Sequence, residues 1–284
     1  MKKLFSHWWF RIIFFLAAAL FFFMLIGALH LVTDVSSSTD LLLVLLLLSI
    51  LLLSFFMEYM RKAALEYIPS EKRSFVFSIF NTSNLLGNIL YGLSSGLLPM
   101  LVFLGLFFIF GTDISINNSL TLDKLLRAFV LIFTVSALEE LLFRGVIYQS
   151  LIEKFGESLP TILISVLFSL AHLDISRIDV LALINVFLAG VLLSIMFLKT
   201  KSLILPISFH FFWNFFQVLL LDLPLSGNYI DSHLFIFRNY DVSRILYGGT
   251  FGVEGGLIVT IVLLVYIWIV NSKAFINKES NNRQ

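Results

Sequence analysis

Cysteine is absent from the 284 residues, only 13% of them are charged, and there are five prolines. Without cysteine there is no disulfide scaffold, no thiolate nucleophile and no Cys-ligated zinc or iron–sulfur cluster, although the redox compartment stays open. Soluble globular proteins carry roughly 25% charged residues and under half apolar ones. Here 59% are apolar and the mean hydropathy is +0.99, so composition excludes a water-soluble globular enzyme. Nineteen Lys and Arg against eighteen Asp and Glu leave a net charge of +1, which provides no basic footprint for nucleic acid. What is abundant is hydrocarbon, with 32 phenylalanines and long Leu-rich runs. The partner that composition names is the lipid bilayer.

A helix needs about 20 mostly apolar residues to cross the hydrocarbon core. The sequence predicts eight, over approximately 9–33, 41–57, 85–110, 122–152, 159–173, 179–199, 203–222 and 253–270, and hence an all-α polytopic membrane protein. The opening MKKLFSHWWFRII reads as a retained signal anchor, because its apolar part runs past about 15 residues without a small-x-small cleavage signal. Counting Lys and Arg by alternate sides collects Lys2, Lys3, Arg11, Arg61, Lys62, Lys72, Arg73, Lys154, Lys199, Lys201, Lys273, Lys278 and Arg283 on one side. The other side has Lys124, Arg127, Arg177, Arg238 and Arg244. Both termini are therefore expected in the cytoplasm, in a multi-pass protein of the cell membrane. The connection 58–84 is basic and reads as an interfacial amphipathic helix, 223–252 faces the opposite side, and KESNNRQ reads as a disordered end.

An ionisable side chain at the bilayer centre costs about 2.5–3.5 kcal/mol on insertion scales, so each one needs a partner or a task. Glu139, Glu140 and Arg144 fall in the fourth span, His172 in the fifth, His210 and Asn214 in the seventh, and Glu254 near the eighth. Glu140 and Arg144 are four apart with the acid first, the favourable order for a helical ion pair. Glu139 points about 100° away around the axis and has no such base, the condition under which a carboxyl makes a useful general base. His210 and Asn214 share a face and can present an imidazole and an amide to one point. Counted at about 1.5 Å per residue, these groups reach overlapping depths. Each also has a structural alternative: the ion pair as a helix lock, His172 and His210/Asn214 as interhelical hydrogen bonds. Glu254, among Gly248, Gly249, Gly252, Gly255 and Gly256, reads rather as an interfacial acid in a glycine-rich turn. His7, His30 and His233 receive no role.

Peptide hydrolysis requires a base to activate water, donors for the oxyanion and an acid for the leaving amine. Glu139 with His172 can supply the base, and His210 with Asn214 the donors. There is no HExxH and no aspartate pair in a GxGD setting. Gly92-Leu93-Ser94-Ser95-Gly96 matches G-x-S-x-G, but inside an apolar helix the two glycines read as a small-xxx-small packing face.

EELLFRG at 139–145, FSLAH at 168–172 and HFFWN at 210–214 resemble the motifs EExxxR, FxxxH and HxxxN/D of the CPBP family. These are intramembrane peptidases related to type II CAAX prenyl endopeptidases and to bacteriocin-immunity membrane proteins. The resemblance covers about 122–222. It implies a peptidase core there, buried between helices, with accessory helices and a cytoplasmic amphipathic loop before it (1–121) and an extracytoplasmic loop, last helix and cytoplasmic tail after it (223–284). It implies Glu139 as the acid that polarises water, His172 assisting, His210 and Asn214 facing the oxyanion, Glu140 with Arg144 ordering the site, and Phe168 shaping it. Catalysis in this family is described either with a zinc held by Glu and His or with glutamate alone. Glu139, His172 and His210 are the candidate zinc ligands; the reading here favours water alone.

The expected function is thus an integral-membrane endopeptidase acting on a peptide or lipidated-protein segment that enters from the membrane plane or the cytoplasmic side. The alternative is a non-catalytic scaffold or bacteriocin-immunity protein of the same family. A proton-coupled transporter would need matching broken helices in two halves, and none is found. Prenylated CAAX proteins are a eukaryotic substrate class, whereas the Lys-, Asn-, Ile- and Phe-rich usage points to AT-rich bacterial coding, so the physiological substrate and the oligomeric state stay open.

Overall fold

The structure, a computed structural model, describes residues 1–33, 39–68, 78–80, 83–173, 179–238 and 244–272. It is an all-α multi-pass membrane protein. Helices α1 (Trp8–Thr33), α2 (Thr39–Ala63) and α3 (Leu85–Ile109) correspond to the first three expected spans. The fourth is composite: α4 (Leu122–Glu140) passes through a π-helical turn, Leu141–Ile147, into α5 (Tyr148–Phe155). Then follow α6 (Ser158–Ala171), α7 (Val180–Thr200), α8 (Ile204–Leu220) and α9 (Leu257–Asn271).

Among the described residues four helices, α1, α2, α3 and α7, are long and apolar enough to cross a bilayer, and α6, α8 and α9 are shorter apolar helices. Burial follows position in the bundle. Only 17% of the α1 window and 22% of the α2 window are buried, against 50% for α7, so the first two present most of their surface outward and α7 packs against protein over about half of its residues.

Close approach between helices rests on small residues. A Cβ on Gly92 would lie 2.5 Å from Ser208 Cβ and 2.7 Å from the Phe209 nitrogen, and one on Gly96 would lie 2.6 Å from the Trp213 nitrogen. The glycine pair of the G-x-S-x-G match is therefore the face on which α3 meets the backbone of α8, as the packing reading expects. Gly190 of α7 plays the same part against Ser165 of α6, where a Cβ would meet the Ser165 Cα at 2.9 Å.

One end of the bundle is tied by ions. Arg11 Nη2 and Arg61 Nε donate to Glu153 Oε2 at 2.6 and 3.1 Å, and all three side chains are buried. Arg11 and Arg61, counted above among topology-setting cations, thus also join α1, α2 and α5. The expected interfacial helix over 58–84 is corrected in part: residues 58–63 complete α2, and a 3₁₀ turn, Leu65–Tyr67, follows. The rest of this connection, at 69–77 and 81–82, lies outside the described residues, as do Lys72, Arg73, Arg177, Lys273, Lys278, Arg283 and the expected disordered tail.

At the opposite end, β1 (Asp113–Ile116) pairs antiparallel with β2 (Phe235–Arg238), Asp113 opposite Arg238. This ribbon was not foreseen. It joins the loop after α3 to the long connection 223–252, which is held further by Lys124 Nζ to Asp231 Oδ2 at 2.6 Å.

Replacing Gly96 by Val should lower the melting temperature of the purified protein in detergent or prevent its folding, a loss of about 1–3 kcal/mol from overpacking, because the obstructing atoms are backbone. Gly105→Ala on the same helix, where no atom lies within 4 Å of the new Cβ, should leave the melting temperature unchanged.

Candidate active site

The π-helical turn directly after Glu140 interrupts the longest helix of the bundle, a local irregularity that recurs at functional sites. Within it Gly145 leaves helical geometry at φ −74°, ψ −119°. The two acids before the turn diverge as helical spacing requires: Glu140 and Arg144 side chains are fully buried, whereas Glu139 retains 24% exposure toward a cavity.

Glu140 Oε1 accepts from Arg144 Nη1 at 2.9 Å and is 3.0 Å from His210 Nδ1. The expected i,i+4 pair is therefore also a bridge to α8, a role the sequence spacing did not announce. Arg144 Nη2 donates to the Gly190 carbonyl at 3.2 Å, and its guanidinium carbon lies 4.3 Å from the Phe168 ring centroid. One cation thus holds α4, α6 and α7 together through an ion pair, a hydrogen bond and a cation–π contact. Phe168, expected as a shaping residue, is wedged between charge and imidazole, its ring centroid 4.6 Å from that of His172 and 6.0 Å from that of His210.

The tautomers follow from these contacts. His172 Nδ1 lies 2.8 Å from the Phe168 carbonyl oxygen, and a carbonyl only accepts, so Nδ1 carries the proton and donates. His210 Nδ1 faces the Glu140 carboxylate in the same way. Both rings turn Nε2 toward Glu139, whose Oε2 is 3.7 Å from His172 Nε2 and 3.8 Å from His210 Nε2. That oxygen is buried and has no hydrogen-bond partner among the described residues. With neutral rings, three acceptors face one another and no donor is present. Such a point takes a water molecule, a proton or a cation.

These groups lie on a cavity of about 650 Å³. Glu139, Phe168, His172, His210 and Asn214 all line it, so α4, α6 and α8 deliver the three motifs to one chamber. The cavity extends away from the Arg11–Glu153–Arg61 end and is bounded by Leu173, Ser226 to Asn228 and Thr250 to Glu254. Ser226 to Asn228, with Thr250 and Phe251, thus roof the site.

Glu254 corrects the reading of an interfacial acid. It lines the cavity, because the glycine-rich turns at 248–256 fold the segment inward. Gly248 and Gly252 both have φ +92°, and a Cβ on either would lie 1.8 Å from a carbonyl oxygen, that of Gly252 or that of Pro224. Sequence reasoning also missed Asn185, a polar residue in the apolar run of α7. Its amide donates to the carbonyls of Glu254 and Gly256 at 2.7 and 2.9 Å, and its oxygen accepts from Thr260 Oγ1 at 2.6 Å.

One carboxylate and two imidazoles form the donor set of a catalytic zinc, and three convergent acceptors with no proton between them suit a cation in kind. Tetrahedral ligands at zinc distance sit about 3.3 Å from one another, so 3.7 and 3.8 Å are somewhat wide. Among the described residues no group of three or more His, Cys, Asp or Glu side chains is drawn in closely enough to hold an ion as they stand. Contraction by a few tenths of an ångström would convert one arrangement into the other.

The class these observations define is a helical membrane protein with a polar chamber between its core helices. A family model described as type II CAAX prenyl endopeptidase Rce1-like matches residues 121–216, a stretch that holds all three motifs. Through this segment, about a third of its length, the chain is similar to the CPBP/CAAX protease family. No curated protein and no solved structure matches it.

Arg144→Met should cost about 3–5 kcal/mol, because Glu140 would remain charged and buried without its cation. Thermal melting in detergent measures this, and the double variant Glu140→Gln/Arg144→Met should regain part of the loss.

Proposed function

We propose that the protein is an integral-membrane endopeptidase that hydrolyses peptide bonds of membrane-associated peptides or proteins with water activated by Glu139. The observation that carries this reading is the Glu139 Oε2 atom, 3.7 and 3.8 Å from two imidazole nitrogens on the wall of a common cavity.

In the proposed reaction a water molecule donates one hydrogen bond to Glu139 and one to the Nε2 lone pair of His172, whose orientation the Phe168 carbonyl holds. Glu139 takes a proton as the water oxygen attacks the scissile carbonyl carbon. The oxyanion is met by the Asn214 amide and by Nε2 of His210 in its imidazolium form. A second proton on His210 has a carboxylate at each side, Glu140 at Nδ1 and Glu139 at Nε2. When the C–N bond breaks, Glu139 returns its proton to the leaving amine. Glu140 and Arg144 act as positioning residues that keep His210 aimed into the cavity.

A zinc ion here would be held by Glu139, His172 and His210. Its chemistry when bound would be to acidify water and polarise the carbonyl.

With both termini cytoplasmic, as the distribution of Lys and Arg argues, the loop-roofed end of the cavity faces away from the cytoplasm. Substrate access is then from the membrane plane or from that outer side, rather than from the cytoplasm. A second reading, a non-catalytic scaffold or bacteriocin-immunity protein, is favoured by the complete burial of the Glu140–Arg144 lock, since such pairs serve architecture as readily as chemistry.

Glu139→Gln should abolish cleavage of a fluorogenic peptide panel by the purified protein, a loss of at least about 10²-fold, with expression and melting temperature retained. Full activity of that variant would favour the scaffold. Running the panel with and without a chelator distinguishes zinc from water alone: loss of cleavage restored by added zinc assigns the metal, and unchanged cleavage assigns the metal-free reaction.

A further inference from the structure

Glu254 is a second acid on the cavity wall, and the catalytic scheme above gives it nothing to do. Its Oε2 accepts from both the backbone nitrogen and the hydroxyl of Ser226, at 3.1 and 2.6 Å. Two donors on one oxygen fix the orientation of the carboxyl group and leave its other oxygen free to face the cavity. Its Oε1 has no hydrogen-bond partner, and Glu254 no ion-pair partner, among the described residues. The titratable groups that face it from neighbouring elements are the imidazoles of His172 and His210. Asp179 also lines the cavity, but its Oδ1 caps α7 by accepting from the Ala182 nitrogen at 3.0 Å. The nearby guanidinium of Arg144 is committed to Glu140 and Gly190.

Considerable structure is devoted to keeping this carboxylate in place. Asn185, 1% exposed, anchors the backbone at Glu254 itself and two residues beyond it. Gly248 and Gly252 make the inward turn possible, and Ser226 holds a left-handed conformation at φ +46° to reach it. Placing a carboxylate in a low-dielectric wall without a cation is unfavourable unless a cation arrives.

We propose that Glu254, oriented by Ser226, is a specificity-determining residue that receives a positively charged group of the substrate, a Lys or Arg side chain close to the scissile bond. One oxygen is fixed by the protein and the other is turned to the ligand. This deepens the peptidase reading and rests on it for the meaning of scissile bond, but the cation site can be measured without catalysis.

The test uses the full chain in detergent and peptides matched except for Lys or Arg against Gln near the cleaved bond. The native protein should cleave the cationic peptides with at least about tenfold higher kcat/KM, the difference lying in KM. Glu254→Gln, which keeps the shape and the Ser226 contact, should bring the cationic peptides down to the level of the neutral ones. On a Glu139→Gln background, labelled cationic peptides should bind at least about tenfold more tightly than neutral ones by fluorescence anisotropy, and adding Glu254→Gln should remove that difference. Equal or absent binding of the cationic and neutral peptides by the Glu139→Gln protein overturns the inference, as does a Glu254→Gln variant that lowers kcat for every peptide with KM unchanged. This comparison needs no Glu254 variant to fold. Charge-dependent binding without cleavage by the native protein would remove the peptidase reading and leave the cation site standing; cleavage blind to charge would do the reverse.

Discussion

The constraint on which the rest depends is the cost of charge in a medium that cannot solvate it. Glu140 and Arg144 are fully buried, and the arrangement is tolerable because each charge has several partners. Arg144 reaches an acid on its own helix, a carbonyl of α7 and the ring of Phe168. Glu140 shares one oxygen between Arg144 and His210. Breaking any of these contacts strands a charge, so four helices are obliged to meet at one point. The same obligation aims His210 at Glu139, which makes the buried pair and the cavity-facing acid parts of one network.

Glu139 and Glu140 are chemically identical neighbours with opposite fates. One turns inward to Arg144 and His210, and the other turns into a chamber where the Nε2 atoms of two imidazoles face it. The π-helical turn that follows them lets a single chain segment serve both purposes, since it ends the regular helix where the two faces must diverge. Lock and chamber are thus successive residues of α4 and not separate modules.

Glycines do comparable work in two settings. Gly92 and Gly96 let α3 press on the backbone of α8, which sets the depth of His210 and Asn214. Gly248 and Gly252 let the segment before α9 fold back into the bundle and bring Glu254 to the cavity wall. In both cases a missing Cβ permits an approach that any side chain would prevent.

The sequence by itself determined the bilayer as solvent, because apolar runs of that length have no other use. It also determined the order of the apolar rods, the i,i+4 partnership of Glu140 with Arg144, and the motif residues with no apolar reason to be there. These are local properties, decided by hydrophobicity and by a helical repeat of about 3.6 residues. Tertiary structure alone decided the rest: that Glu140 also holds His210, that both Nε2 atoms turn toward one oxygen of Glu139, that Arg11 and Arg61 share Glu153, and that Glu254 lies in the chamber and not at its rim. Each of these joins residues far apart in the chain, and helical periodicity carries no information about which faces of different helices will meet. That choice is made by close packing around small residues and by the need to give every buried charge a partner.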